Sequence, residues 1–150
     1  MAARRQYRLN LLSRVADREA GATWAIRLVR EQLDRGESSL HGYSDRLAAG
    51  VRLAAQFNDE RTVLLLYTEF EDAVREAYRG ILRRNQRPQM ETLLRVLRDR
   101  VGVPQSVYTG ANRVRVCRNA IVHQNEPATM TTAEAKSSLS RFLACLPEWT

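Results

Sequence analysis

The segment Arg118–His123 holds the residue types that a phosphate-cleaving site needs. Arg118 carries a cation whose planar fork matches phosphate oxygens, and His123 carries an imidazole, a group that can move a proton. Asn119 can orient either a phosphate or the imidazole. Cleavage of RNA through its own 2′-hydroxyl needs a base, an acid and a cation for the charge that develops on the phosphorane. The segment therefore contains a minimal set of groups for cutting RNA without a metal ion.

The segment lies near the end of a predicted helix, and helical geometry separates its two main groups. Arg118 precedes His123 by five positions, which is about 140° around an ideal helix of 3.6 residues per turn. This mismatch leaves three possibilities: the helix frays ahead of Pro127, the two side chains reach one target from different angles, or two copies of the helix pool their residues. An ordinary helix C-terminus, where a histidine interacts with the negative end of the dipole and arginines are solvated, is the alternative to any site.

Other residues with possible chemistry are less informative. Arg115 shares a helical face with Asn119 and His123, so it is a candidate for contacting RNA phosphates, although a solvated arginine is an equal alternative. His41 falls in a predicted loop and is interpreted as an exposed polar residue. Cys117 is six positions from His123, so an ideal helix points the two side chains well apart and argues against a thiol nucleophile.

Composition sets limits on the class of protein. The formal charge is +7 and the pI is near 10.2, which permits a polyanionic partner. Only one of the 24 basic residues is a lysine, Lys136, and the arginines alternate with acidic residues, so most are expected on a solvated surface. Two cysteines, Cys117 and Cys145, stand far apart without metal-ligand spacing, which predicts no disulfide, no metal site and no cofactor. No apolar run approaches the roughly 18 residues of a membrane span, and no signal sequence is recognisable, so we expect a cytoplasmic protein.

The elements that must position these groups are all predicted to be helical. Apolar residues recur at spacings of three and four throughout, and strand-like alternation is absent. With 44% hydrophobic residues over 150 positions, the chain is expected to form one domain, 1–150, built as a compact all-α bundle of five to six helices.

Helix ends are predicted from capping signals and prolines. Gly102 is expected to close the fourth helix, Ser106 to cap the fifth, and Thr131-x-x-Glu134 to open the last one as a capping box. Asn58-Asp59 either interrupts or continues the helix that starts at Ser44. The first predicted helix runs from about Arg4 to Leu33, and Gly36–Ser39 is the loop after it. The second starts at Ser44 and carries apolar residues as far as Phe57. The third stops before Pro88 and has one continuous apolar face: Val63, Leu66, Tyr67, Phe70, Val74, Ala77, Tyr78 and Ile81. The fourth holds Leu93, Leu94, Leu97 and Val101, the fifth reaches from Ser106 to about His123 or Gln124, and the last opens at Thr131 and ends at Pro147.

The motif and its helical setting resemble the HEPN superfamily. That family is a small all-α bundle whose signature is an arginine, a following polar residue that is often asparagine, and a histidine after four to six positions. Arg118-Asn119-…-His123 fits this signature, which the family carries late in the chain, near the start or middle of a penultimate helix. The segment Tyr67–Arg75 is also similar to that family's earlier Phe-Glu…Arg helix, and it suggests that Glu71 could bridge to Arg118. A salt bridge from Glu71 to Arg75, four positions on, is the alternative.

The resemblance implies a function as well as a fold. Many members of the family are metal-independent endoribonucleases that leave a 2′,3′-cyclic phosphate and act as homodimers, with Arg and His of both protomers meeting at the interface. It implies RNA as substrate, Arg118 and His123 as catalytic residues with Asn119 in support, and a role as a toxin or antiviral effector with a possible antitoxin or defence-system partner. The alternative is a catalytically silent module that binds a nucleotide or docks a partner protein.

One position departs from a subgroup of the family. Members paired with a nucleotidyltransferase antitoxin carry a tyrosine two places after the histidine, where it is the target of modification. This chain has Asn125 there. Silencing by modification of a tyrosine at that position is therefore not expected.

Overall fold

The computed structural model describes residues 4–34, 44–83 and 86–149, and every regular element in these ranges is helical. The elements, in chain order, are α1 (Arg4–Asp34), α2 (Ser44–Leu82), α3 (Met90–Val101), α4 (Gln105–Asn119), a π-helical turn (Ala120–Gln124) and α5 (Thr132–Cys145). The predicted all-α bundle of five to six helices is confirmed. Among the described residues, no helix is both long and apolar enough to cross a membrane. The predicted loop at Gly36–Ser39 lies outside the described residues.

Helices α1 and α2 form a long antiparallel hairpin. Arg8 near the start of α1 forms ion pairs with Glu76 at 2.6 Å and with Glu69 at 3.2 Å, both in the second half of α2. Burial opposes ionisation of Glu76, but the hydrogen bond and the charge of Arg8 outweigh it and lower the pKa of Glu76. The pairing fixes the register of the hairpin at the end where the core lies.

Helix α2 joins two of the predicted helices into one of 39 residues. Asn58 and Asp59 do not interrupt it. Thr62 donates its hydroxyl to the backbone carbonyl of Asn58, and Asp59 accepts a hydrogen bond from Thr132 at 3.1 Å. Asp59 is thus held by a contact with the start of α5, which local sequence preference does not reveal.

The core lies between the second half of α2 and the three shorter helices. Phe70 of α2 packs edge-to-face on Phe142 of α5, with ring centroids 5.7 Å apart, and Leu12 brings α1 into the same cluster. The apolar face predicted for this part of α2 is buried from Val63 to Tyr78, which confirms it there, whereas its last residue, Ile81, is half-buried. This packing fixes the relative positions of α2, α3 and α4, between which the candidate site lies.

Two of the three predicted caps are present. Gly102 ends α3 in the left-handed conformation, with φ 79°, and its N–H donates to the carbonyl of Arg98. Thr131 and Glu134 form both hydrogen bonds of a capping box at the start of α5. Ser106 was the wrong cap for α4, because the extended backbone of Pro104 already starts that helix and its carbonyl accepts the N–H groups of Val107 and Tyr108.

Candidate functional site

The helix that carries Arg118 widens immediately after it. Regular α-helix ends at Asn119, and Ala120–Gln124 forms a π-helical turn that closes when the N–H of Asn125 donates to the carbonyl of Ala120. Asn125 adopts the left-handed conformation, with φ 54°. A π-helical turn bonds residues five apart, and such turns occur often at functional sites. In a wider helix, two residues five positions apart are separated by a smaller angle around the axis. The angle between His123 and Arg118 is therefore smaller than the angle of about 140° expected from an ideal α-helix.

This position differs from the one implied by the resemblance. The motif lies at the C-terminal end of the penultimate helix rather than at its start or middle. The helical segment ends at Gln124, which confirms the predicted end at His123 or Gln124. The change from α-helix to π-helix after Asn119 was not predicted.

Arg118 lines a cleft of about 330 Å³, which we call the Arg118 cleft. Three elements form it: the second half of α2, the N-terminus of α3 and the end of α4. The side chains that matter to its chemistry are Tyr67, Glu71 and Arg75 from α2 and Arg115, Arg118 and Asn119 from α4. The structure thus brings four of the five predicted site residues to one cavity.

Among the described residues of the cleft, every charged side chain except Arg118 forms an ion pair. Arg75 lies 2.6 Å from Glu71, and Arg115 lies 3.2 Å from Glu91. Arg118 instead donates from Nη1 to Oδ1 of Asn119 at 3.1 Å and lies over the ring of Tyr67, with its Cζ 5.8 Å from the ring centroid. Within the described part of the chain, Arg118 is the cation of this cleft that no carboxylate neutralises. A phosphate entering the cleft would meet that charge first.

Glu71 forms the local ion pair rather than the bridge that the resemblance suggested. Its Oε1 accepts from Nε and Nη2 of Arg75, and Glu71 forms no hydrogen bond or ion pair with Arg118 among the described residues. Arg75 also donates to the carbonyl of Pro88 at 3.2 Å. Glu71 pairs with Arg75 because the two residues are four positions apart on one helix, whereas Arg118 lies on α4. By pairing with Arg75, Glu71 helps to hold that side chain against the segment that precedes α3.

Arg115 is committed to partners inside the protein. Its Nε donates to Oδ1 of Asn112 at 2.8 Å, and its terminal nitrogen pairs with Glu91. Both partners limit the guanidinium to the wall of the cleft. Arg115 therefore adds less free positive charge to the cleft than Arg118 does.

Tyr67 is a cleft residue that the sequence pattern indicated only as part of an apolar face. Burial, followed by the charge of Glu71, raises the pKa of Tyr67 to about 12, although the nearby arginines oppose the change. The phenol is therefore neutral at pH 7 and can donate a hydrogen bond. Its place inside the segment Tyr67–Arg75 was the available signal, because that segment carries part of the family resemblance.

The N-terminus of α3 forms the wall opposite Arg118. No side chain caps this 12-residue helix at Gln89, and Gln89, Met90 and Glu91 all line the cleft. The first N–H groups of a helix have no partner within the helix, and together with the dipole they favour a negative charge. The sequence does not predict this wall, because the start of α3 comes to lie beside α4 only through tertiary packing.

His123 is exposed and does not line the Arg118 cleft. It makes no hydrogen bond or ion pair with any other described residue. It follows Asn119 by four positions, about one turn further along the chain. Cys117 is buried beside Arg118, which agrees with the expectation that it is not a nucleophile, and His41 lies outside the described residues.

Comparisons with known proteins identify no relative: no family model, no curated protein and no solved structure matches this chain. Within the part of the chain that the structure describes, no group of three His, Cys, Asp or Glu side chains is placed to hold a metal ion.

Proposed function

We propose that this chain is a metal-independent endoribonuclease that cleaves RNA by attack of a 2′-hydroxyl on the adjacent phosphate. The observation that carries the proposal is the free charge of Arg118 in a cleft, with an exposed His123 about one helical turn away. The wall formed by the start of α3 supports it, because that wall also favours an anion.

Each group has a defined role in the proposed reaction. A new bond forms between the 2′-oxygen and phosphorus as the bond from phosphorus to the 5′-oxygen breaks, which leaves a 2′,3′-cyclic phosphate and a 5′-hydroxyl. Arg118 stabilises the charge on the phosphorane, and Asn119 holds the guanidinium in place. His123 transfers a proton, either from the 2′-hydroxyl or to the leaving oxygen. The neutral phenol of Tyr67 can donate a further hydrogen bond to a phosphate oxygen.

The reaction needs two proton transfers, and this requirement favours a homodimer. A base and an acid act on opposite sides of the phosphorus, whereas the described part of one chain offers one histidine, the exposed His123. A second copy would supply the second imidazole. Two exposed valines flank Arg118 and Asn119 along the chain: Val116 is 53% exposed and Val122 is 47% exposed. Such apolar side chains suit a contact between two copies around a two-fold axis.

The cellular role follows from the resemblance to the HEPN superfamily. It favours a cytoplasmic toxin or an antiviral effector with an antitoxin or defence-system partner. A second candidate function is a silent module that binds a nucleotide or docks a partner, and one observation favours it. His123 lies outside the cleft, so the Arg118 cleft of a single chain is equipped to hold a phosphate without cleaving it.

A ribonuclease assay in EDTA tests the proposal. We expect the wild-type chain to cleave RNA, and both Arg118→Ala and His123→Ala to lose that activity. Arg141→Ala is the matched control, because Arg141 is an exposed arginine on α5. Equal rates for wild type and both site variants would contradict the enzyme proposal. Binding of RNA or a mononucleotide that depends on Arg118, with no cleavage, would instead favour the silent module.

A further inference from the structure

A second, larger cavity lies next to the Arg118 cleft. It has a volume of about 580 Å³ and lies where α2 ends and the chain turns towards α3. We call it the Arg79 cavity, after one of the three arginines among its described lining residues: Arg75, Arg79 and Arg87. Arg75 also lines the Arg118 cleft and is the residue that the described linings of the two spaces share.

The shared boundary is neutralised and fixed in position. Three nitrogens of Arg75 are engaged: Nε and Nη2 by Glu71, and Nη1 by the carbonyl of Pro88. Arg75 therefore separates the two cavities without adding free charge to either.

The other two arginines of the Arg79 cavity are exposed and have no carboxylate partner among the described residues. Arg79 donates from Nε to the backbone carbonyl of Arg75 at 3.3 Å, which leaves its two terminal nitrogens unbonded within the described chain. Arg87 makes no hydrogen bond or ion pair with another described residue. Among its described lining residues the cavity has one acid, Asp72, whose charge also acts on Arg8 of α1. The cavity is thus cationic overall, and its charge is available to an anion.

We propose that the Arg79 cavity binds a backbone phosphate of the RNA strand, beside the phosphate held in the Arg118 cleft. The inference rests on the proposed function and extends it by naming a second subsite. A polyanion with regularly spaced phosphates suits two adjacent cationic cavities, and an arginine fork matches phosphate oxygens in a bidentate manner. The preferred substrate is then a strand of several nucleotides rather than a dinucleotide.

Binding of a fluorescently labelled 12-nucleotide RNA tests this subsite independently of cleavage. The protein is the full chain with His123→Ala, so that the RNA stays intact during the measurement. Anisotropy titrations across a series of salt concentrations compare this chain with the same chain carrying Arg79→Gln and Arg87→Gln. The His123→Ala chain carrying Arg141→Gln is the control for loss of surface charge.

We expect the double variant to weaken binding on the order of tenfold at low salt. A plot of the logarithm of the association constant against the logarithm of the salt concentration has a negative slope. The magnitude of this slope should decrease by about 0.7, the change expected when the protein neutralises one phosphate fewer on a single strand. The Arg141 variant should retain most of the affinity and the full slope. Equal affinity and slope in the double variant and in the control would overturn the subsite, as would the absence of any RNA binding.

Cleavage kinetics separate this inference from the proposed function. With His123 restored, the Arg79→Gln/Arg87→Gln chain should cleave a dinucleoside monophosphate as the wild type does and show a raised KM for the 12-nucleotide RNA. Equal KM values for the longer RNA would overturn the subsite while cleavage itself persists. A wild-type chain that binds RNA through Arg79 and Arg87 but never cleaves it would support the subsite and contradict the enzyme.

Discussion

Replacing Arg118 with glutamine should remove most of the catalysis while leaving the fold intact. Arg118 is half-buried in its cleft and is the cation there that no carboxylate neutralises among the described residues. Glutamine keeps a polar, roughly planar end group but no charge. The charge that develops on phosphorus would then lose its main electrostatic partner.

The size of the effect follows from the interactions of Arg118. Removal of one well-placed donor to a developing oxyanion costs about 3 to 4 kcal/mol in the transition state, or about 10²- to 10³-fold in rate. For the fold, the substitution removes only the interaction with the ring of Tyr67, about 0.5 to 1 kcal/mol, and one hydrogen bond to Asn119. Catalysis should therefore fall far more than stability does.

The assay measures kcat/KM for RNA cleavage together with Tm. Arg115→Gln is the matched control, because Arg115 lines the same cleft but is already paired with Glu91. Arg118→Lys should lie between wild type and Arg118→Gln, since lysine keeps the charge and loses the fork. The reasoning is refuted if Arg118→Gln retains more than about a third of wild-type activity, or if Arg115→Gln causes the greater loss at equal stability.

Three further predictions concern the fold and the assembly. Because the pKa of Tyr67 is raised to about 12 in the folded chain, its contribution to stability is full below pH 10 and is lost as pH rises to 12. The loss is about 2 kcal/mol at pH 12, and denaturant unfolding of wild type and Tyr67→Phe across this range should show it only in the wild type. Thr131→Ala removes the capping box with Glu134 and should lower the free energy of unfolding by about 1 kcal/mol, with wild-type stability as the contradicting result. If both copies of His123 act in one site shared by two chains, an excess of the His123→Ala chain should lower the activity of the wild-type chain by forming mixed dimers, whereas a site within one chain predicts no such loss.

Local signals predicted the helices well. Gly102 and Thr131 act through their own backbone neighbours, so the caps they form are readable from sequence. The apolar face of α2 was predicted for the same reason, because its period is a property of one helix. Asn58-Asp59 left the continuity of α2 undecided, since the contact from Thr132 that engages Asp59 comes from an element 73 positions away.

The cleft itself could be predicted only in part. The sequence places Arg118 and Asn119 together, but only folding places Tyr67 beneath the guanidinium and the start of α3 opposite it. The π-helical turn could not be predicted either, because the residues Ala120–Gln124 fit the pattern of an α-helix equally well. That turn changes the predicted angle between Arg118 and His123, which is the quantity on which a one-chain or two-chain site depends.

The most direct test of the central proposal is the chemistry of the cut in an RNA with one identified cleavage position. The measurement compares this RNA with an otherwise identical strand that carries a 2′-deoxynucleotide at that position, and it determines the end groups of the product. We predict that the wild-type chain in EDTA leaves a 2′,3′-cyclic phosphate, does not cut the substituted strand at that position, and loses the reaction in His123→Ala. Cleavage at the deoxynucleotide, a 5′-phosphate product, or unchanged cleavage by His123→Ala would contradict the proposal.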